Sequence, residues 1–563
     1  MDIRFQPRAP LGGENAGTTS WSADCVIVPV FSGQAPLEYI PELLEAAPWL
    51  GVTPALRDFK AKKGETHLAY GHPEAPISRA VFCGLGKPED FRPEFLRDAV
   101  AAAVKSCAAM KLERLAVPLE ALRKVRDEAE AAAPKHDCGC GTGKAQGKAE
   151  KNKSAKPKAC LIEEAVLGAL LSLYVNDIYK TKNEDDPKFT PSSFSLLTAE
   201  ASVPENLLAA ARKAEAVAHG ICYTRDLVNG PANVITPSRL EEEAQGLARK
   251  YGFQCTALGP DYLRDNGYGA FWAVARGATQ EPRLIILEYR PESLDPDEQK
   301  PVIIVGKGVT FDSGGISLKP AAKMHEMKSD MAGAGTVLGL FKALGEALRS
   351  AAGKAASNDE LGEAGPCGCA SLAGKHIIGI IPASENMPDG NATRPGDIVT
   401  TLAGKTVEIT NTDAEGRLLL IDCLTMAQER WQPAALIDIA TLTGACVVAL
   451  GEKTCGLFGN NDCLRDHILA LGERCSERFW PLPVWDEDLD ELKSDTADLN
   501  NTGPREGGAL FAALFLKQFV KKETPWAHLD IAGPGYTQKK SPVFPGGASA
   551  FGLRTLFELI GGK

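Results

Sequence analysis

Residues 301–320 have the sequence PVIIVGKGVTFDSGGISLKP. The apolar start of this stretch is typical of a buried strand, and the glycines that follow allow the backbone to approach a ligand closely. Segments of the same kind recur after Pro237. They predict strands at 283–289, 301–305, 376–381, 406–410 and 434–440, with helices from about 328 and from 416. Strands that alternate with helices form a parallel sheet covered on both faces, with ligand sites at the carboxyl ends of the strands.

The chain has 563 residues, which is enough for two or more domains of ~100–200 residues each. Strands are also predicted near the amino terminus, at 25–31 and 80–84. We therefore expect an α/β fold of two domains. A smaller N-terminal α/β domain, 1–203, would be followed by a linking helix and connector, 204–236. The C-terminal α/β domain, 237–563, would have a mixed, largely parallel central sheet flanked by helices.

Two segments, 134–158 and 350–374, differ from the rest of the chain. They are rich in small and polar residues and contain few large apolar side chains, so we predict flexible insertions. Each contains a Cys-Gly-Cys pair, Cys138/Cys140 and Cys367/Cys369. One interpretation of these pairs is an accessory soft-metal or redox site. The other is exposed linker thiols, which is favoured because the Cys-x-Cys spacing differs from the Cys-x-x-Cys of zinc sites.

Net charge, cysteine content and missing motifs argue against several classes of protein. The net charge of −11 argues against a protein that grips nucleic acid by its phosphates, although it leaves room for a local basic patch. The apolar stretch Ala434–Leu450 is interrupted by Asp438 and falls short of a membrane span. No secretory signal is visible, and an odd number of cysteines, 15, fits reduced thiols in the cytoplasm. Zincin, phosphate-loop and nucleophile-elbow motifs are absent from the sequence.

Four carboxylates follow predicted strands or begin predicted helices: Asp312, Asp330, Asp413 and Glu415. A parallel sheet would gather them along one rim, where they would repel one another unless cations were bound. Divalent ions with oxygen ligands resolve that repulsion, and two neighbouring ions lower the pKa of a water molecule. The alternative is that each carboxylate is a solvated loop residue or a helix N-cap, which suits Asp330 well.

The sequence NTDAEGRL at 411–418 resembles the signature of the leucyl aminopeptidases, cytosolic metallo-exopeptidases with two metal ions. The stretch 305–320, followed by MKSDMAG at 327–333, resembles the second hallmark of that family. Further similarity lies in ENMP (385–388), RPGD (394–397), ATLTGA (440–445) and WAHLDIAG (526–533). The resemblance covers roughly 300–533, so the C-terminal domain would be the catalytic one.

The resemblance implies a set of metal ligands for two divalent ions per subunit, manganese or zinc. These ligands are Lys307, Asp312, Asp330, Asp413 and Glu415. A lysine ligand must be neutral, because an ammonium has no lone pair to donate, and a nearby dication would depress its pKa. Without the resemblance, an exposed loop lysine is the preferred interpretation of Lys307.

Two further positions match catalytic residues of the family. Lys319 would polarise the scissile carbonyl and stabilise the oxyanion. Arg417 would hold a bicarbonate that acts as general base, since a guanidinium suits a planar oxyanion. The alternative for Arg417 is an ion pair with a structural carboxylate.

The resemblance also places a pocket for the first side chain of the substrate. Its residues would be Met327, Asn411, Thr441, Leu442, Gly444 and Ala548. Their apolar, mid-sized character fits leucine-like side chains, whereas ordinary core packing is the alternative for Met327 and Thr441. The segment 546–556 lacks the Gly-Arg-Pro that often follows in the family.

The predicted function is a cytoplasmic, metal-dependent aminopeptidase that releases leucine-like apolar residues from the amino terminus of peptides. A homohexamer is implied by the resemblance alone. One alternative is a narrower dipeptidase, such as one for cysteinylglycine. The other is an accessory DNA-binding role, for which the Lys-rich 135–158 would supply a patch despite the acidic net charge.

Overall fold

The computed structural model describes residues 1–7, 21–34, 41–52, 58–132, 160–181, 188–200, 202–291, 294, 300–355 and 372–561. The chain forms two compact units, one of 1–215 with 541–545 and the other of 216–540 with 546–563. The boundary falls within a long helix, Glu205–Asn229, which covers the predicted helix of the connector. All four cysteines of the Cys-Gly-Cys pairs lie outside the described residues.

The N-terminal unit contains a six-stranded sheet in the order β1-β6-β5-β2-β4-β3. The strands are β1 Asp2–Pro7, β2 Cys25–Val30, β3 Thr66–Tyr70, β4 Arg79–Gly84, β5 Arg114–Pro118 and β6 Ser193–Thr198. All neighbours are parallel except β3 and β4. The helices are α1 Pro41–Ala46, α2 Pro93–Ala109, α3 Leu119–Ala132 and α4 Leu161–Ser172, followed by α5 Glu205–Asn229. Both strands predicted in this part are therefore confirmed.

The C-terminal unit is built on a nine-stranded sheet. Its strands are β7 Gln254–Leu258, β8 Arg283–Tyr289, β9 Val302–Gly306, β10 Gly308–Asp312, β11 Ile377–Asn386, β14 Ala435–Ala440, β15 Thr454–Gly459, β16 Arg478–Pro481 and β18 Trp526–Asp530. The order is β16-β15-β18-β14-β9-β11-β8-β7, and β10 pairs with β11. The central strands β18, β14, β9, β11 and β10 are parallel, whereas β8, β7 and β15 pair antiparallel. The sheet is mixed and largely parallel, as predicted.

Helices pack on this sheet in two groups. One consists of α6 Pro237–Tyr251, α9 Ala332–Ala355, α12 Asp462–Cys475 and α14 Leu553–Gly561. The other consists of α7 Pro260–Asp265, α8 Gly269–Ala275, α10 Glu415–Trp431, α11 Gly444–Leu450 and α13 Gly508–Lys517. Within the described residues, one helical stretch, Met324–Ala351, is long and apolar enough to cross a membrane, but 83% of its apolar window is buried inside the protein. That burial is typical of a core helix.

The structure refines three details of the predicted layout. Residues 350–355, expected to begin an insertion, form the end of α9, and 356–371 lie outside the described residues. The apolar stretch Ala434–Leu450, which we interpret from sequence as a buried strand and the loop after it, contains β14 and then the helix α11. The predicted strand 406–410 exists as β13 Thr406–Ile409, but it belongs to a separate sheet with β12 Asp397–Thr400 and β17 Leu499–Asn500. A fourth, two-stranded sheet pairs β19 Tyr536–Thr537 with β20 Gly547–Ala548.

Candidate active site

The candidate site lies where parallel strands of the large sheet end. Lys307 directly follows β9, Asp312 is the last residue of β10, and Asn386 is the last residue of β11. Thr441 directly follows β14. The carboxyl ends of neighbouring parallel strands share one edge of a sheet, and ligand sites form at this edge. The topology therefore brings residues 307 and 441 together across 134 positions of sequence.

Lys307 lies at the centre of a cluster of buried carboxylates, formed by Asp312, Asp330 and Glu415. Its Nζ lies 2.8 Å from Asp330 Oδ1, 2.7 Å from Asp330 Oδ2 and 2.8 Å from Glu415 Oε1. The same ammonium donates to the backbone carbonyl of Thr441 at 3.0 Å. Lys307 is only 2% exposed, which excludes the alternative of an exposed loop lysine.

The electrostatics of Lys307 follow from this enclosure. Burial by itself would lower the pKa of the lysine, but the carboxylates of Asp330, Glu415 and Asp312 outweigh burial and raise it. Burial likewise raises the pKa values of Asp330 and Glu415, against the opposing attraction of Lys307. Several acidic groups thus share a small, water-poor volume, which is the condition under which a bound cation stabilises them most.

Lys319 forms a second ammonium beside the cluster. Its Nζ lies 2.7 Å from Asp312 Oδ2 and 2.5 Å from Asp413 Oδ1. Burial opposes the charge of Lys319, yet the neighbouring Asp312 and Glu415 raise its pKa, so the side chain is a cation at neutral pH. Unlike Lys307, its side chain is 21% exposed. Part of the Lys319 side chain is therefore accessible from solvent.

The loop 411–418 is tied to the loop after β10 by reciprocal hydrogen bonds. Thr412 Oγ1 donates to the Gly314 carbonyl at 2.7 Å and accepts from Ser317 N at 2.8 Å. Ser317 Oγ in turn accepts from Thr412 N at 3.1 Å. Gly314 has a φ of +91°, and a Cβ there would lie 2.8 Å from Asp413 Oδ1, so glycine is required for the two loops to meet.

Asp413 and Glu415 reach the site by a route that the sequence reasoning missed. We expected the strand before them to be a parallel neighbour in the main sheet, and this expectation is wrong. β13 pairs with β12 and β17 instead. The loop hydrogen bonds and the first turn of α10, which begins at Glu415, bring these two carboxylates to the rim.

Arg417 lies in the first turn of α10 and is 7% exposed. Its Nη1 donates to the Asn501 carbonyl at 2.8 Å, while its Nε has no hydrogen-bond partner among the described residues. Burial lowers the pKa of the guanidinium to about 10, so it remains charged at neutral pH. Within the described part of the chain, no salt bridge joins Arg417 to a structural carboxylate, which was the alternative interpretation.

The donor set fits divalent metal ions. One carboxylate oxygen from each of Asp312, Asp330 and Glu415 lies within 4.8 Å of the others, and all three residues are buried. Asp330 Oδ2 and Asp413 Oδ1 contact lysine ammonium groups, but neither has a partner with hydrogen-bond geometry within the described residues. Buried carboxylate oxygens without full hydrogen bonding are suited to hard cations.

The predicted pocket residues lie in several elements. Thr441 Oγ1 donates to Asp330 Oδ1 at 2.7 Å, and Asn411 Oδ1 accepts from Asp413 N at 2.9 Å, so both contact predicted metal ligands. Leu442 N donates to Asp530 Oδ1 at 3.2 Å. The remaining positions are Met327 in the 3₁₀ turn Met324–Ser329, the exposed Gly444 at the start of α11, and the buried Ala548 in β20.

Two asparagines were not among the predicted site residues. Asn386 donates to Asp312 Oδ1 at 2.8 Å and to the Thr412 carbonyl at 3.0 Å. Asn501 accepts from Thr410 N and donates to the Asn411 carbonyl, besides supporting Arg417. The ENMP motif was the available signal for Asn386. Asn501 had no local signal, since it acts only through contacts across about 90 residues of sequence.

Comparison with known proteins shows which family model matches this chain. The family model described as the cytosol aminopeptidase family, catalytic domain, matches residues 222–355 and 362–557. The model of the N-terminal domain of the same family matches residues 27–136. These matches cover more than half of the chain and include all seven predicted metal-binding and catalytic positions.

Similar proteins and structures agree with these matches. A probable cytosol aminopeptidase of Nitratidesulfovibrio vulgaris (strain Hildenborough) is 49% identical, covering 100% of this chain and 99% of that protein. One from Syntrophobacter fumaroxidans is 39% identical and covers 96% of each chain. The bottromycin maturation enzyme BotP in complex with Mn has a TM-score of 0.73 at 32% identity, covering 96% of this chain and 99% of its own. A tomato leucine aminopeptidase variant has a TM-score of 0.74 at 29% identity, covering 99% and 96%. This chain belongs to the cytosol aminopeptidase family.

Proposed function

We propose that this protein removes leucine-like apolar residues from the amino terminus of peptides with the help of two divalent metal ions. Its family makes it a metal-dependent aminopeptidase; the preference and the identity of the ions are the proposal. The observation that carries it is the buried cluster of Asp312, Asp330 and Glu415 with Lys307 at its centre.

The cluster would hold the ions through the five predicted ligands: Lys307, Asp312, Asp330, Asp413 and Glu415. Oxygen-rich ligation without cysteine or histidine accepts manganese or zinc, and the Mn complex of the similar BotP supports manganese. When bound, such ions act as Lewis acids and lower the pKa of a water molecule so that it attacks the scissile carbonyl. Lys307 would then act as a neutral ligand, having given up its proton.

Lys319 supplies the second part of the chemistry. Its ammonium stands at the more open side of the cluster, beside Asp312 and Asp413. A fixed cation there stabilises the negative charge that develops on the carbonyl oxygen during attack. Because the charge is already oriented by two carboxylates, it needs little rearrangement when the substrate reacts.

Arg417 is proposed to hold a bicarbonate. A buried guanidinium with an unpartnered Nε fits a planar oxyanion, which accepts two parallel hydrogen bonds. Bicarbonate would supply an oxygen base for proton transfer, while Arg417 positions it and Asn501 holds Arg417. Activity in carbonate-depleted buffer should rise with added bicarbonate in the wild type and fail to rise in Arg417→Met.

The preference for apolar residues is proposed from the pocket positions. Gly444 has no heavy atom within 4 Å of the Cβ that a larger residue would carry, which leaves room for a substrate side chain. Thr441 and Asn411 would contribute through backbone and aliphatic atoms, because their polar groups already contact metal ligands. Pockets of this kind distinguish a single methylene only weakly, so a broad preference is expected.

The cellular location, the substrates and the oligomeric state of the enzyme are also proposals. The names of its relatives support the cytoplasm as location and peptides as substrates. A homohexamer is implied by the resemblance of the sequence motifs alone. Cysteinylglycine hydrolysis remains the narrower alternative for the same site. An accessory DNA-binding role has less support, since the net charge is −11.

Hydrolysis of leucyl-anilide in the presence of manganese or zinc tests the function, with Asp413→Ala as the matched variant. We expect metal-dependent activity that chelation abolishes and that the variant lacks. Profiling amino-acid anilides and cysteinylglycine in parallel ranks the substrates. Inactivity of the wild type with every divalent ion, or full activity of Asp413→Ala, would contradict the proposal.

A further inference from the structure

Asn386 contacts the proposed metal ligands Asp312 and Glu415. The sequence predicts no role for it. It is 4% exposed and ends β11, directly paired with Asp312 at the end of β10. Its carbonyl accepts from Ser313 N at 3.0 Å and from Ser313 Oγ at 2.7 Å. The backbone of Asn386 is therefore held on the same strand pair as Asp312.

The side-chain amide of Asn386 faces three acceptors. Its Nδ2 lies 2.8 Å from Asp312 Oδ1, 3.0 Å from the Thr412 carbonyl and 3.4 Å from Glu415 Oε2. Carboxylate and carbonyl oxygens only accept, so the NH₂ group must point toward them. With two N–H bonds for three acceptors, the contact to Glu415 is the longest and weakest of the set.

Each oxygen of these two carboxylates then has a defined neighbour. Asp312 Oδ1 accepts from Asn386 while Oδ2 contacts Lys319. Glu415 Oε2 faces Asn386 while Oε1 contacts Lys307. The amide thus faces the carboxylate oxygens that do not contact the lysines and helps to orient both carboxyl groups, while Gly314 N adds a second hydrogen bond to Asp312 Oδ1 at 2.9 Å.

We propose that Asn386 is a positioning residue that orients Asp312 and Glu415 for metal binding and so sets the affinity of the site for its ions. The inference rests on the proposed metal-dependent function. A neutral amide suits this task because it donates hydrogen bonds without adding a positive charge that would repel a dication. Hydrogen-bond partners of metal ligands commonly control affinity in this way.

A matched control exists on α10. Gln428 is 2% exposed, and its amide donates to the Leu424 and Phe519 carbonyls and accepts from Lys521 N. It lies 13 residues after Glu415 on the same helix, about 20 Å away at 1.5 Å per residue. Gln428→Leu therefore removes a buried, fully bonded amide of the same unit without touching the ligands.

The test measures metal binding directly, by calorimetric titration of Mn²⁺ into the chelator-treated full-length protein. Asn386→Leu should raise the dissociation constant for Mn²⁺ about 10–100-fold. The dissociation constant of Gln428→Leu should stay near the wild-type value. The visible absorption of the Co²⁺-loaded protein should also change in Asn386→Leu alone, because it reports ligand geometry. If Asn386→Leu fails to fold, Asn386→Ala and Asn386→Ser take its place, and the hydroxyl of Ser should recover part of the affinity.

The outcomes separate this inference from the proposed function. Wild-type protein that binds no divalent ion would overturn both. Wild-type binding with an unchanged affinity in Asn386→Leu, or an equal loss in Gln428→Leu, would overturn the positioning role alone. Activity is not needed for either conclusion.

Discussion

Gly416 lies directly against the side chain of Lys307. A Cβ at position 416 would lie 2.5 Å from Lys307 Cε and 2.7 Å from Nζ. Since Lys307 is buried between Asp330 and Glu415, it has little room to move aside. The glycine of NTDAEGRL is therefore explained by a contact with a lysine 109 positions earlier, rather than by a turn of its own backbone.

We predict that Gly416→Ala displaces Lys307 and lowers kcat/KM about 100-fold, the effect typical of misplacing a catalytic group by about 1 Å. The measurement is steady-state hydrolysis of leucyl-anilide with saturating Mn²⁺. Gly246→Ala is the control, because its Cβ would meet no heavy atom within 4 Å. Wild-type activity in Gly416→Ala would show that the contact is relieved without consequence.

Lys319→Met should separate catalysis from metal binding. Loss of a cation aimed at developing charge lowers kcat by about 10²–10³-fold. Metal affinity should not fall, because removing the ammonium leaves Asp312 and Asp413 without a competing cation. Measuring kcat beside Mn²⁺ affinity checks this prediction, and a parallel loss of both would instead make Lys319 a structural support of the ligands.

Thr441→Val distinguishes a pocket residue from a support of the metal ligands. The substitution keeps the shape but removes the hydrogen bond from Thr441 Oγ1 to Asp330 Oδ1. We expect Mn²⁺ affinity to fall about tenfold or more, with the ranking of substrates unchanged. Thr425→Val serves as the control, because it removes a buried hydroxyl whose hydrogen bond, within the described residues, goes to the Ile421 carbonyl. An altered ranking at unchanged affinity would favour the pocket role.

A buried pair on two neighbouring strands of the main sheet, β14 and β18, predicts a pH dependence of stability. His528 Nδ1 lies 2.6 Å from Asp438 Oδ1. Burial by itself would lower the pKa of His528, but the Asp438 carboxylate outweighs it and raises this pKa above the ordinary value of about 6.5. The pair therefore stabilises the fold fully below about pH 6.5, and this contribution is lost as the pH rises through the folded pKa.

In the wild type, Trp526 Nε1 donates to Asp438 Oδ2 at 2.8 Å. Asp438→Asn should remove the stabilisation by the His528–Asp438 ion pair while its amide oxygen can still accept this hydrogen bond. Calorimetric unfolding temperatures should differ most between wild type and variant near pH 6 and converge as the pH rises. A difference that stays constant from pH 6 to pH 9 would mean that His528 is neutral throughout.

Much of this protein followed from local sequence. The periodicity of 283–289 and 434–440 predicted strands β8 and β14, and the residues of 301–320 predicted a ligand site at the end of a strand. The strand predictions are confirmed, because strand formation depends on neighbouring residues, and the ligand site stays a prediction. The same local motifs carried the resemblance to the family and pointed to every proposed ligand.

The tertiary structure alone decided how the proposed ligands meet. β13 lies outside the main sheet, so Asp413 and Glu415 reach Lys307 through the bonds between Thr412, Ser317 and Gly314 rather than through neighbouring strands. The contacts of Asn386 with Asp312, and of Thr441 with Asp330, appear only there as well. Such contacts join residues 26 to 111 positions apart, and local periodicity carries no information about pairings at that distance.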